Sequence, residues 1–193
     1  MSLVAISGNA SGTGTLTIAA PNTNSNYTLT LPQNTGTLLS TTSGKLPAQV
    51  VNVPNGNLAT GTTLIPFDDT IPQNTEGNEY MTCAITPTNA SSTLEIDVLW
   101  CGASSTSNYM AVCLFQDSTA NALAVSWNGI YQANSPITIP IKYLMTAGTT
   151  SSTVFKVRAG AIGAATTTFN GFGGNRHFGG VMASRITIKE YLP

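Results

Sequence analysis

The chain has 193 residues and a formal net charge of -1, with charged residues at 8% and apolar ones at 41%, where roughly 25% charged is usual for a soluble domain. Its seven Lys and Arg form neither a run nor an alternation with aromatics, which excludes a nucleic-acid-binding surface. No apolar stretch reaches the roughly 18 residues of a membrane span, so membrane insertion is not expected.

Thr, Ser and Asn, at 30, 17 and 17 residues, solvate the surface in place of charge. A Thr-rich, charge-poor surface suits exposed β structure, because the branched side chain fits the pleat and the hydroxyl faces water. From Gly12 to Ser40 the chain reads as three short alternating segments, "TLTIAAP", "YTLTLPQ" and "GTLLS", separated by Asn, Pro and Gly turns. Each has one apolar face: Leu16 and Ile18 oppose Thr15 and Thr17, and Leu29 and Leu31 oppose Thr28 and Thr30. Two or three such strands are marginal alone in water. Residues 1–45 are therefore expected to form a β arm that pairs with copies of itself or with a larger assembly, and "TTSGKLPAQ" reads as the linker to a second domain, residues 46–193.

That domain alternates with period two almost throughout. "STLEIDVLW" sets Leu94, Ile96, Val98 and Trp100 against Glu95, Asp97 and Leu99. "SPITIPIKYLM" sets Ile137, Ile139, Ile141 and Tyr143 against Thr138, Pro140 and Lys142, and Pro140, lacking a donor, places this strand at an edge. "STVFKVRAGA" and "SRITIKEY" continue the pattern through Phe155, Val157 and Ala159, then Ile186 and Ile188. "YMAVCLF" is apolar on both faces, as for a central strand or one covered by another subunit. With "EYMTCAIT", "LAVSWNGIY" and "TTTFNG" this makes nine or ten strands and no helical stretch of eleven residues. The fold class expected is all-β: an antiparallel β-sandwich, and by strand count a jelly roll.

The residues that carry chemistry are few. Cys83, Cys101 and Cys113 sit in apolar strands, match no zinc spacing and read as free buried thiols. Three Asn-x-Ser/Thr sequons, at Asn9, Asn26 and Asn89, reflect abundant Asn and Thr in a chain without a recognisable signal peptide. "PFDDTIPQNTEGNEY" holds half the acidic groups, and Asp68 with Asp69 is the nearest approach to a calcium loop. The EF-hand spacing is absent, so solvated turns are expected and no metal. "FNGFGGNRHFGG", residues 169–180, contains the chain's one histidine but leads into a strand, not the helix that a phosphate loop needs. His177 has no carboxylate or nucleophile beside it in sequence, so no catalytic role and no cofactor are expected. Tyr109, Trp127, Tyr131 and Phe172 lie in or beside loops, where exposed aromatics serve as platforms for sugars.

"GTGTLTIAAPNTNSNYTLTLPQNTGTLLSTTS" resembles a segment common in tail-fibre and virion-surface proteins of tailed bacteriophages, in which a "TLTxPxxTGTLxT" arm precedes a β-rich head. "TGTTLIPFDDTIPQNTEGNEYMTCAITPTNASSTLEIDV", "ITIPIKYLMTAGTTSSTVFKVRAG" and "FNGFGGNRHFGGVMASRITIKEY" are similar to the C-terminal head of the same proteins. The resemblance implies a head of the tumour-necrosis-factor and C1q type, assembled as a homotrimer at the virion surface, in which outer sheet faces pack on neighbours and thereby account for the two apolar faces of "YMAVCLF". It implies no enzyme. Residues 1–45 would attach to capsid or tail proteins of the same virion, and the head would contact a host-surface receptor or glycan. Tyr109, Trp127, Tyr131, Phe172, Asn175, Arg176 and His177 are the receptor-binding candidates, the last three being alternatively candidates for the trimer seam. A capsid decoration protein that stabilises the shell is the alternative. The glycines of residues 169–180 would permit turns with positive φ while the phenylalanines pin the loop to the sandwich.

Overall fold

The computed structural model describes residues 46–193 continuously, preceded by 11–14, 22–26 and 28. The chain divides into two units, Met1–Leu39 and Ser40–Pro193, and the fold below is that of the second. The strands expected in residues 1–45 lie outside the described residues.

The strands are β1 (Gln49–Asn55), β2 (Ala59–Gly61), β3 (Asn78–Ile85), β4 (Thr93–Ser104), β5 (Asn108–Gln116), β6 (Ala124–Ile130), β7 (Ile137–Thr146), β8 (Thr153–Ala161), β9 (Thr167–Phe169), β10 (Gly171–Phe172), β11 (Asn175–Arg176) and β12 (Ser184–Tyr191). No α-helix occurs among the described residues, and no helix there is long and apolar enough to cross a membrane.

The eight long strands pair as one wrapped antiparallel hairpin, β5 with β6 innermost, then β4 with β7, β3 with β8, and β1 with β12 outermost. Rolling that hairpin puts alternate pairs in opposite sheets, β1-β12-β4-β7 and β3-β8-β5-β6, joined laterally by β12 on β4 and β8 on β5. Two four-stranded antiparallel sheets with this connectivity are a jelly roll. β9 pairs with the last residues of β4, beyond the end of β12, and β2 pairs with β9.

Period-two patterning builds the core as expected. Leu94, Ile96, Val98 and Trp100 of β4 are buried, facing Met110, Val112 and Leu114 of β5 and Phe155, Val157 and Ala159 of β8. Ile186 and Ile188 of β12 and Ile139 and Ile141 of β7 close the same cluster. β7 is an edge strand, so Pro140 leaves no ladder partner without a donor.

Of the two origins expected for the second apolar face of β5, a central place in the sheet and cover by another subunit, the structure shows the first. β5 is central, and its outward residues Ala111, Cys113 and Phe115 are buried by Ile65 with Ala122 alongside. Ile65 belongs to the strap 62–77, which crosses the outer face of the second sheet within the same chain. The strap is tied at one end by Ile65 N–H donating to Ala161 O (3.1 Å) and at the other by Asn74 N–H donating to Ala120 O (2.8 Å) and Ala122 N–H to Pro72 O (2.9 Å). From β8, Arg158 donates to Glu76 O (2.8 Å) and Gly77 O (2.7 Å). The crossing is so close that a Cβ on Gly160 would lie 2.6 Å from Thr63 O. This corrects the expectation that a sister copy covers that part of the face.

Candidate functional site

The register of β5 and β6 sets Tyr109 opposite Gly129 and Ala111 opposite Trp127. Tyr109 and Trp127 therefore share the outer face of the second sheet, on a diagonal that brings their ring centroids to 5.5 Å at 76°. The strap adds a third ring. Phe67 stacks on Tyr109 at 5.9 Å and 11°, and meets Trp127 edge-on at 5.6 Å and 71°. All three remain open to solvent, at 61% for Phe67, 39% for Tyr109 and 54% for Trp127. Such edge-to-face and offset arrangements are the favoured ones for aromatic quadrupoles, so the cluster holds its own shape.

Gly129 provides room beside it. A Cβ there would come within 3.0 Å of the Tyr131 ring and 3.4 Å of the Tyr109 ring, so Tyr131, itself 86% exposed, lies over the bare backbone. A groove of about 150 Å³ runs between Tyr109 and Tyr131, with Ser107 and Asn108 in its lining.

Phe67 is held where it is by local chemistry. Ile65, two residues earlier, is buried, while the Asp68 carboxylate accepts from Thr70 N–H (2.9 Å) and Thr70 Oγ1 (2.5 Å), closing a turn. The hydroxyl and amide of Thr70 hold the Asp68 carboxyl below its usual pKa. Asp68 and Asp69 thus shape a solvated turn. Among the described residues no group of three or more His, Cys, Asp or Glu is placed to hold a metal ion.

The remaining candidates form a second group. β10 and β11 make a two-stranded hairpin with Gly173 and Gly174, both at positive φ, as its turn. Phe172 stacks flat on His177, centroids 3.6 Å apart at 2°, and Asn175 and Arg176 are exposed. Of the phenylalanines expected to pin this segment, Phe169 is buried against Tyr80 and Trp100, whereas Phe178 is 74% exposed and pins nothing. The hairpin tip borders the connection from β6 to β7 that carries Tyr131, with Asn134 near Gly173 and a groove of about 350 Å³ lined in part by Ser105, Asn134 and Thr168.

The base of the hairpin is fixed by Asn170, which is buried and at φ 53°, a conformation Asn tolerates better than most residues. Its Nδ2 donates to Asn55 O (2.6 Å) and Asn57 O (3.0 Å), and its Oδ1 accepts from Ser184 N–H and Oγ.

The structure thus brings Tyr109, Trp127 and Tyr131 together and sets Phe172, Asn175, Arg176 and His177 apart on the hairpin. Trp127 sits mid-strand on β6, an edge strand, instead of beside a loop. Phe67 was not among the sequence candidates. An aromatic between Pro66 and two aspartates carries no periodic signal, and only the strap's path reveals its neighbours.

Two of the three thiols, Cys83 and Cys113, are buried and held protonated. Burial pushes Cys113 up to about 12, with Glu76 adding to the rise and Arg158 opposing it, and burial also raises Cys83. Cys101 is only half-buried, on the outward phase of β4, which corrects its assignment to the core.

No family model and no curated protein matches the chain. Among solved structures it is similar to Eiger TNF from S. frugiperda, at 12% identity over 77% of this chain and 94% of that one, TM-score 0.48. It is also similar to infectious bursal disease virus, Gt strain (12%, 75% of this chain and 38% of that one, TM-score 0.42). A third likeness is to the CBM36-1 domain of a multidomain xylanase from the hindgut metagenome of Trinervitermes trinervoides (15%, 72% and 96%, TM-score 0.36). With every score below 0.5, the jelly roll rests on the strand pairing described above.

Proposed function

We propose that the chain is a non-enzymatic structural protein of a tailed-phage virion, a homotrimeric surface fibre or spike. Residues 1–45 attach it to capsid or tail proteins of the same particle, and the jelly-roll head faces outward to a host surface or glycan. The observation that carries this reading is the cluster of Phe67, Tyr109 and Trp127, three solvent-exposed rings held on the outside of a rigid sheet. Exposed apolar groups that pack on one another in the open are the mark of a contact surface. The resemblance of the arm and head segments to virion-surface proteins supports the same reading. Three heads on one stalk would raise avidity without strong individual sites.

Electron cryo-microscopy of particles carrying the protein, together with its mass in solution, tests this. Projections at the tail or on head fibres and a mass three times the 20.0 kDa chain are expected. Density confined to the junctions between capsomers would replace the reading with shell decoration. Absence from the particle would remove both.

A further inference from the structure

We propose that the Phe67, Tyr109 and Trp127 cluster, with Tyr131 at its border, is a stacking platform for one or two rings of a neutral pyranose glycan. This rests on the reading of the head as the outward-facing part and names the ligand of that site. The competing occupant is a second copy of the chain, and area decides between them. An aromatic side chain presents roughly 150–250 Å². With exposures of 61%, 39% and 54%, and 86% for Tyr131 at the border, the four rings therefore offer on the order of 500 Å². A stable protein interface needs about 800 Å² from each partner. The apolar surface is too small to hold another copy by itself and matches the C–H face of a sugar ring or two.

Charge narrows the ligand. The cluster contains no Lys or Arg, and its charged neighbours in sequence are the carboxylates of Asp68 and Asp69. Arg158 of β8, which reaches the strap, is committed to Glu76 O, Gly77 O and the Glu79 carboxylate at 3.5 Å. Sialylated, sulfated or phosphorylated glycans would meet the Asp68 and Asp69 carboxylates beside Phe67, whereas an uncharged sugar pairs its hydroxyls with acceptors. The geometry is also set in advance of binding. Tyr109 and Trp127 stand on hydrogen-bonded strands, and Phe67 is fixed between buried Ile65 and the Asp68–Thr70 turn, so little side-chain freedom remains to be lost.

The two tryptophans supply the test. Trp100 is fully buried and Trp127 is 54% exposed, so a ligand on the platform alters the emission of Trp127 alone. The full chain is titrated with neutral hexasaccharides of glucose, mannose and galactose and with a sialylated and a sulfated oligosaccharide. Calorimetry is used where a variant lacks the reporter. A saturable blue shift with at least one neutral sugar is expected and none with the anionic ones. Tyr109→Ala, Trp127→Ala and Phe67→Ala should each weaken binding at least tenfold while keeping a cooperative unfolding transition, and Phe178→Ala should leave it unchanged. The proposal is overturned by silence toward every neutral sugar at millimolar concentration, or by preference for the anionic ones. Binding that survives Trp127→Ala overturns it too, as does a fall in assembly mass in that variant, which would make the cluster a subunit contact. A protein seen on the outside of the particle that binds no sugar defeats only this inference. Sugar binding by a protein absent from particles defeats only the virion reading.

Discussion

The side chain of Asn170 receives both hydrogen bonds that Ser184 can give it: its Oδ1 accepts from Ser184 N–H at 3.0 Å and from Ser184 Oγ at 2.7 Å. Ser184 Oγ in turn accepts from Cys101 N–H at 2.8 Å, and Asn170 N–H donates to Cys101 O at 2.9 Å. With the bonds to Asn55 O and Asn57 O, Asn170 joins the end of β1 and the connection after it, β4 at Cys101, the hairpin base and the start of β12. Asn170→Ala strips four side-chain hydrogen bonds, leaves the buried Ser184 N–H and hydroxyl without their acceptor, and puts alanine at positive φ. A loss of about 3 kcal/mol is expected in chemical denaturation, since each orphaned buried group costs about 1–3 kcal/mol. A loss below about 1 kcal/mol would mean that water replaces the carboxamide.

Glu190 predicts an acid limit to stability. It is fully buried in the inward phase of β12, where its carboxylate accepts from Gln49 Nε2 (2.6 Å), Thr88 N–H (2.9 Å) and Thr88 Oγ1 (2.9 Å). Burial works to raise its pKa, but the hydrogen bonds from Gln49 and Thr88 prevail and hold it at about 2, below the ordinary 4.5. A depressed folded-state pKa gives stability that is complete above 4.5 and disappears as pH falls toward about 2. The unfolding temperature of the natural chain should fall across that window. Glu190→Gln should be less stable at pH 7 and show a flatter acid limb. Parallel pH profiles would refute the assignment.

The strap over the second sheet should control access to Cys113. Ile65→Ala opens a cavity above Ala111, Cys113 and Phe115, with an expected cost of about 3 kcal/mol. Cys113 is fully buried and its thiol is pushed up to about 12, so it should be inert to a thiol reagent in the native chain at neutral pH. In Ile65→Ala its labelling, read by peptide mass, should quicken at least tenfold, while Cys83 in the main core stays protected. Equal rates for the two thiols would show global opening and not a lifted strap.

The sandwich was legible because its core follows one rule. In β4, β7, β8 and β12 alternate residues face inward and most of them are apolar, joining one core cluster, and the two sheets follow once those faces must meet. Legibility fails where the rule has an exception. β5 is apolar on both faces because two different layers cover it, and alternation does not say whether the second is a sister copy or, as found, Ile65 of the same chain. Glu190 was readable in principle: it continues the phase of Ile186 and Ile188, so a carboxylate stands where a hydrophobe is due. Asn170 was not, since its partners lie at Asn55, Asn57 and Ser184, the first two more than a hundred residues away. The candidate site divides the same way. Tyr109 and Trp127 announce themselves as aromatics on short strands, but their meeting depends on register, and Phe67 arrives on a segment between Pro66 and Pro72 that has no period at all.

Gly129 separates the fold from the cluster's border. It opposes Tyr109 in the β5–β6 ladder and does not require positive φ, so alanine fits its backbone and loses less conformational freedom on folding. The new Cβ would nevertheless lie 3.0 Å from the Tyr131 ring, tighter than a relaxed contact, and Tyr131 is an exposed side chain free to swing away. Gly129→Ala should therefore leave the unfolding temperature unchanged or slightly raised while Tyr131 moves off the backbone of residue 129. Loss of nuclear Overhauser contacts around Tyr131, with those between Tyr109 and Trp127 retained, is the expected signature. If the variant unfolds early instead, the bare backbone at this rung is a packing requirement of β6 and not room kept for Tyr131.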